Sequence, residues 1–220
     1  VLHSETPAEE VPEADGSCDL VASVFVIEYS NLQRSVPDAA RLLGKGGRFS
    51  ALLHHDGSIV TTMSKRAIGE FDGQDIEKAI AALKDISSER DRVRDLSELK
   101  SSEKAEAGRN LMNTLAQKYL SDTNPRTANA TMFEFMNQAL KFFKMMGAGS
   151  EQRAGFIESL KTEHLASHER FRQMVSVAFD AEGIEEVRRL LEKSGFSDVE
   201  VDVVRTGNDI LAWSLQARKL

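Results

Sequence analysis

PEADGSCDLVASVFVIEYSNLQRSVPDAARLLGKGGRFSALLHH, residues 12–55, decides the fold. An Asp15-Gly16 turn signal precedes the apolar run Leu20, Val21, Val24, Phe25, Val26 and Ile27. Helix competes for this run, but a short, β-branched and nearly continuous apolar stretch suits a parallel strand covered on both faces. A strand is therefore expected from Asp19 to Tyr29. Val36, Ala39, Ala40 and Leu43 then fall on one face at helical spacing, which predicts a helix over Ser35–Leu43. Pro37 is expected in its first turn, and Gly44, Gly46 and Gly47 at its end. Arg48–His54 reads as a second strand, with Phe49, Ala51, Leu52 and Leu53 apolar. Strand, helix, strand is a βαβ unit, with a right-handed crossover expected.

Upstream, residues 1–17 are polar and acidic, and Pro7 and Pro12 prevent a helix from running through. Downstream, strand patterns vanish between residues 64 and 175. Helical stripes replace them: Ile76, Ala79, Ile80 and Leu83; Ala107, Leu111, Met112, Leu115 and Tyr119; Met132, Phe135, Met136, Ala139, Leu140, Phe143 and Met146. A fourth stripe, Ile157, Leu160, His164, Phe171, Met174 and Val175, reads as a broken helix. The charged stretch 84–105 fits either a solvated helix or a mobile link. The α/β pattern then returns, with a helix through Ile184, Val187, Leu190 and Leu191 that stops at Ser194-Gly195. Alternating Val199, Val201 and Val203, the turn 206–209, and alternating Leu211, Trp213, Leu215 and Ala217 predict an antiparallel hairpin.

The 220 residues suffice for one core with an appended module. Residues 64–175 carry 18 basic and 17 acidic side chains against 10 and 18 elsewhere, so the helical block presents a different surface from its frame. The net charge of −7 argues against nucleic acid as a partner. A single cysteine, Cys18, excludes an internal disulfide and, with no membrane-length apolar run or signal peptide, makes the cytoplasm the default compartment.

Three segments carry a resemblance. PEADGSCDLVASVFVIEY resembles the entry to the fourth strand of class I S-adenosylmethionine-dependent methyltransferases of the type 11 kind, with Cys18 where an aromatic is commoner. LLGKGGRF resembles that family's turn into the fifth strand, and LLEKSGF, VEVDVVRT and ILAWSLQARK resemble its last helix and final hairpin. The resemblance implies an α/β fold: a partial Rossmann-like methyltransferase sheet with an antiparallel C-terminal hairpin and a large helical insertion. The division expected is 1–63 with 176–220 as core and 64–175 as insertion, a lid or a substrate or dimer module. It implies S-adenosylmethionine as cofactor, a small organic methyl acceptor and no membrane partner. The family's glycine-rich cofactor turn and ribose-binding acidic residue would lie before Val1. The residues thus imply an N-terminally truncated form, or a second chain covering the edge of the first strand, as in a homodimer through that edge or the helical block.

Ligands of parallel α/β sheets bind beyond the carboxyl ends of the strands. That places Glu28 after one strand and His54 and His55 after the next as candidate catalytic groups for positioning an acceptor or taking its proton. The resemblance assigns Glu5, Thr6, Ala8, Ser23, Val24, Phe25 and Tyr29 to the cofactor. His164 and His168 stand four apart on a helix without a metalloprotease pattern and read as ordinary surface histidines, so no metal is assigned. Gly44–Gly47 lacks the phosphate-loop pattern and reads as a cap and turn. The Met132–Met146 stripe reads as helical core, with a pocket or dimer surface as the other use. Two further readings stand beside methyl transfer. One is a non-catalytic binding or assembly module that uses the helical block as its interface. The other is a different nucleotide-binding α/β enzyme, which the antiparallel end and missing GxGxxG disfavour.

Overall fold

The computed structural model describes residues 3–220. They form two compact units: the residues through Lys65 together with Arg172–Leu220, and Arg66–Phe171. The first unit holds the βαβ segment, namely β1 (Cys18–Val24), α1 (Leu32–Leu42) and β2 (Leu43–Leu53). It is completed by α8 (Ala181–Lys193) and the hairpin β3 (Phe196–Thr206) and β4 (Asp209–Lys219). The sheet order is β1-β2-β4-β3; β1 pairs parallel with β2, and β4 pairs antiparallel with both β2 and β3. Gly207, at φ 57°, makes the hairpin turn that the sequence marks.

Strand alternation decides which side chains form the core. Phe49, Ala51 and Leu53 of β2 and Leu215 and Ala217 of β4 are buried with Val36, Ala39 and Ala40 of α1 and Ile184, Val187 and Leu191 of α8. Asp180 caps α8 by accepting from Gly183 N–H, and Gly195, at φ 87°, follows its end. The register of β1 against β2 shifts between Cys18 and Leu20, where Gly44–Gly47 form the opposing segment and Gly46 takes φ 78°. Those glycines therefore belong to a bulged strand start rather than to a helix cap.

Three expectations fail here. The first strand stops at Val24 instead of Tyr29, because Phe25 turns into the left-handed region at φ 55° and Ile27–Tyr29 form a 3-10 turn. It is not buried on both faces either: β1 is the sheet edge, and Leu20 and Val24 are 51% and 59% exposed. Finally, α1 begins at Leu32 behind an Asn31 cap, so Pro37 lies in the second turn, where it removes one backbone bond.

The second unit is helical. Helix α2 (Ile59–Glu70) enters it and α7 (Ser150–Ser176) leaves it. Between them run α3 (Gly73–Arg92), α4 (Leu96–Ser101), α5 (Glu103–Leu120) and α6 (Ala130–Ala139), then a 3-10 segment over Leu140–Met145. The stripes of α3 and α6 meet Met112, Leu115 and Tyr119 of α5 in one core, as their spacing predicts. On α5, however, the buried small residues are Ala105 and Gly108; Ala107 faces solvent. On the 3-10 segment Phe142 replaces Phe143 in the core, because three residues per turn shifts the face. The stretch 84–105 is the end of α3, then α4, then a Ser102 cap, with no free link. The fourth stripe is one continuous helix of 27 residues. Arg153 on α7 is buried; its guanidinium bonds Ser87, the Ala148 carbonyl and Asp91. No helix among the described residues is long and apolar enough to cross a membrane.

Candidate functional site

The carboxyl ends of β1 and β2 bring two candidate groups together, Glu28 and His54. Phe25 N–H still donates to Leu52 O at 2.9 Å, one residue beyond β1, and the chain then turns sharply. Ser23 Oγ accepts from Ile27 N–H at 3.0 Å and closes that turn. The turn buries Glu28, which is only 5% exposed. Its Oε1 accepts from His54 N–H at 3.1 Å and lies 2.7 Å from His54 Nδ1. With Nδ1–H donating to the carboxylate, the lone pair of His54 resides on Nε2. Glu28 Oε2 is buried and has no hydrogen-bond partner among the described residues.

Aromatic rings flank the pair. The Phe25 ring lies 4.7 Å from the His54 ring, and Tyr29 meets it edge-on at 5.9 Å. Burial raises the Tyr29 phenol above its ordinary value, and the Glu28 charge adds to the rise.

His55 points into different surroundings, as alternation along a strand requires. Its ring stacks on Trp213 at 4.4 Å, and its Nδ1 accepts from Gly57 N–H at 2.9 Å. Asp56 Oδ1 is 3.3 Å from the same nitrogen, but an Nδ1 that accepts from Gly57 cannot also donate there. Phe179 completes this end: its N–H donates to His54 O, and its carbonyl accepts from Asp56 N–H and Trp213 Nε1–H. No sequence pattern marks Phe179 for this end of the sheet, and Trp213 carries a signal only as one of the alternating apolar residues of the last strand.

The residues assigned to the cofactor do not form one cluster. Ser23, Val24, Phe25 and Tyr29 lie on the turn beyond β1; Ser23 is occupied by its bond to Ile27, and Val24 is exposed. Glu5 and Thr6 instead line an open hollow with Asp38 and Arg41. Glu5 takes φ 56°, and Ala8 is half-buried two residues beyond Thr6. Arg41 holds this segment against α1, donating to Asp38, Asp15 and the carbonyls of Glu13 and Val11. Burial alone would raise the Asp38 carboxyl, but bonds from Arg41 and Val11 N–H bring it below the ordinary range. Glu9 Oε1 accepts from Asn31 N–H at 2.7 Å, tying the same segment to the start of α1.

His164 and His168 are not surface histidines. Both are half-buried, His168 stacked on Phe71 and His164 edge-on to Phe135. Among the described residues no group of three or more His, Cys, Asp or Glu side chains is placed to hold a metal ion.

The mixed sheet, with helices packed on it and two facing carboxyl strand ends, is consistent with a Rossmann-like α/β enzyme fold. Residues 3–51, which include β1, α1 and most of β2, match the family model of the methyltransferase domain. That match covers less than a quarter of the chain; it likens this segment to a methyltransferase domain and suggests methyl transfer in general. No curated protein matches the chain.

Proposed function

We propose that the chain serves S-adenosylmethionine-dependent methyl transfer to a small organic acceptor, with Glu28 and His54 as its proton-accepting pair. One observation carries this reading: a buried carboxylate spends one oxygen on His54 and leaves the other without a partner among the described residues. An unsatisfied buried acceptor costs about 1–3 kcal/mol. Such a group is best explained by a ligand that brings the missing donor.

The residues present fit one side of the cofactor. Exposed Val24 and Phe25 and the half-exposed Tyr29 offer an apolar wall beside that oxygen-bearing turn. When bound, S-adenosylmethionine supplies an electrophilic methyl group on a sulfonium. The chain's own part is to hold and move a proton. Glu28 keeps Nδ1 of His54 protonated, so Nε2 is the atom that takes the proton released by the acceptor's nucleophilic atom. The carboxylate also stabilises the imidazolium that results. His55, with one nitrogen bonded to Gly57 and one ring face on Trp213, fixes the end of β2 in this reading.

Calorimetric titration with S-adenosylmethionine tests the cofactor, and mass spectrometry of an acceptor panel tests the transfer. Heat of binding and a product heavier by one methyl are expected, with turnover reduced about 100-fold or more in His54→Gln. No heat with the cofactor favours the binding-module reading; full turnover in His54→Gln removes the pair from the mechanism.

A further inference from the structure

We infer that the helical unit carries a binding site of its own, for a small organic cation with an apolar or aromatic body. The site is a half-open cavity of about 310 Å³ lined by residues of the helical unit alone, from α2, α6 and α7 and from Phe71 just past α2. Helical spacing builds it: Thr131, Glu134 and Gln138 recur along α6, and Glu163, His164, Ser167, His168 and Phe171 along one face of α7. Its volume is at the lower end of the roughly 300–1,000 Å³ of ligand cavities, which suits one ring with a short arm.

Its walls are rings. Phe71 and His168 stack at 3.9 Å, and Phe171 joins them in the lining. His164 is fixed by a bond from Nδ1–H to the Leu160 carbonyl at 2.9 Å, which leaves Nε2 to accept. The charged residues that line the cavity, Glu134 and Glu163, are of one sign. Glu134 meets only the neutral amide of Gln138, at 3.2 Å, and neither it nor Glu163 forms an ion pair among the described residues. Glu70, beside the cavity, is by contrast already engaged by Arg66 and Thr131. Arg170 is turned to Ser167 Oγ at 2.7 Å, and Lys161 is paired with Glu77 at 2.9 Å.

This combination selects the ligand. An anion is repelled by two carboxylates, and a neutral ring would desolvate them with nothing in return. A protonated amine pairs with a carboxylate while its body covers the aromatic faces, and an ammonium over such a face gains cation–π attraction. The inference does not depend on methyl transfer and requires no cofactor.

The test is a titration of the full chain, without S-adenosylmethionine, by benzylamine, benzyl alcohol and benzoate near neutral pH. Amide and ring NMR shifts report the location, and Glu134→Gln and Glu163→Gln, both at solvent-facing positions, report the charge. Saturable benzylamine binding that shifts Phe71 and His168 is expected, about fivefold or more tighter than benzyl alcohol, with no binding of benzoate. Each glutamine variant should weaken benzylamine about three- to fivefold and leave benzyl alcohol unchanged. Circular dichroism confirms that the variants fold. Absence of benzylamine binding, equal affinity for amine and alcohol, or unaltered amine affinity in both variants overturns the inference.

Discussion

Replacing Glu28 by glutamine separates a functional carboxylate from a structural one. In the wild type Oε1 satisfies two donors, His54 N–H and Nδ1–H, while Oε2 is buried without a partner among the described residues. Glutamine keeps an oxygen for both donors and loses the charge. Weakening a charge-assisted bond to a neutral one costs about 1 kcal/mol, while the unpartnered charged oxygen is exchanged for a neutral amide nitrogen, whose burial without a partner costs no more than that of the charged group. Glu28→Gln should therefore lie within about 1 kcal/mol of wild type in urea unfolding. Glu28→Ala leaves both His54 donors unanswered in a buried site and opens a small void, which should cost about 2–4 kcal/mol. Both variants should lose methyl transfer to about the same degree, on the order of 100-fold. The decisive comparison is between the two denaturation midpoints at unchanged m. Should Glu28→Gln unfold as readily as Glu28→Ala, the carboxylate is a strut for His54, and the unpartnered oxygen carries no functional meaning.

Four further outcomes concern the helical unit. Asp75, almost buried, is held to about 2 by hydrogen bonds from Lys118 first and then Lys78. Because its folded pKa is depressed, the stability it lends is present above its unfolded value of 3.8 and lost as pH falls through about 2. With both lysines half-exposed, Asp75→Asn should cost about 1–2 kcal/mol near neutrality and flatten that acid limb in thermal melts followed by circular dichroism. In the same cluster burial first, then Asp72 and Asp75, push Tyr119 up to about 12 against the pull of Lys118. Its raised pKa lends stability below about 10 that is lost toward 12, so Tyr119→Phe should remove an alkaline decline in the same melts. Gly108→Ala would place a Cβ 2.9 Å from Ile86 Cγ1 and 3.2 Å from the Ala82 carbonyl. Overpacking should outweigh the gain in helix propensity and lower stability by about 1–2 kcal/mol in urea titrations, with recovery on adding Ile86→Val. Arg153→Met removes three hydrogen-bonded anchors at a buried site and should cost about 2–4 kcal/mol, whereas Asp91→Asn at the half-exposed end should cost about 1 kcal/mol or less.

Local patterning fixes much of this protein. The period of apolar residues identifies the βαβ segment, the helical block and the closing hairpin, because each element buries a face whose spacing its own geometry sets. Gly207 and Gly195 mark a turn and a helix end for the same local reason: both take positive φ. The candidate pair was half legible. Glu28 and His54 are visible as polar residues after apolar runs, and a parallel pairing places such ends together. That Oε1 of Glu28 meets the backbone N–H and the Nδ1 of His54, while His55 turns to Trp213, depends on partners 26 and 158 positions apart in the chain.

Tertiary structure alone decided the rest. The apolar run from Leu20 to Ile27 has strand composition throughout, yet the register of β1 on β2 ends at Val24 and Phe25 turns away. The same run reads as covered on both faces, but coverage belongs to neighbours, and β1 has β2 on one side only. His164 and His168 carry no local sign that Phe135 and Phe71 will meet them, so a pair that reads as surface lies against a cavity. A sequence determines which faces must be buried. Only the packed chain determines what buries them, since side-chain contacts join residues whose separation along the chain leaves no periodic trace.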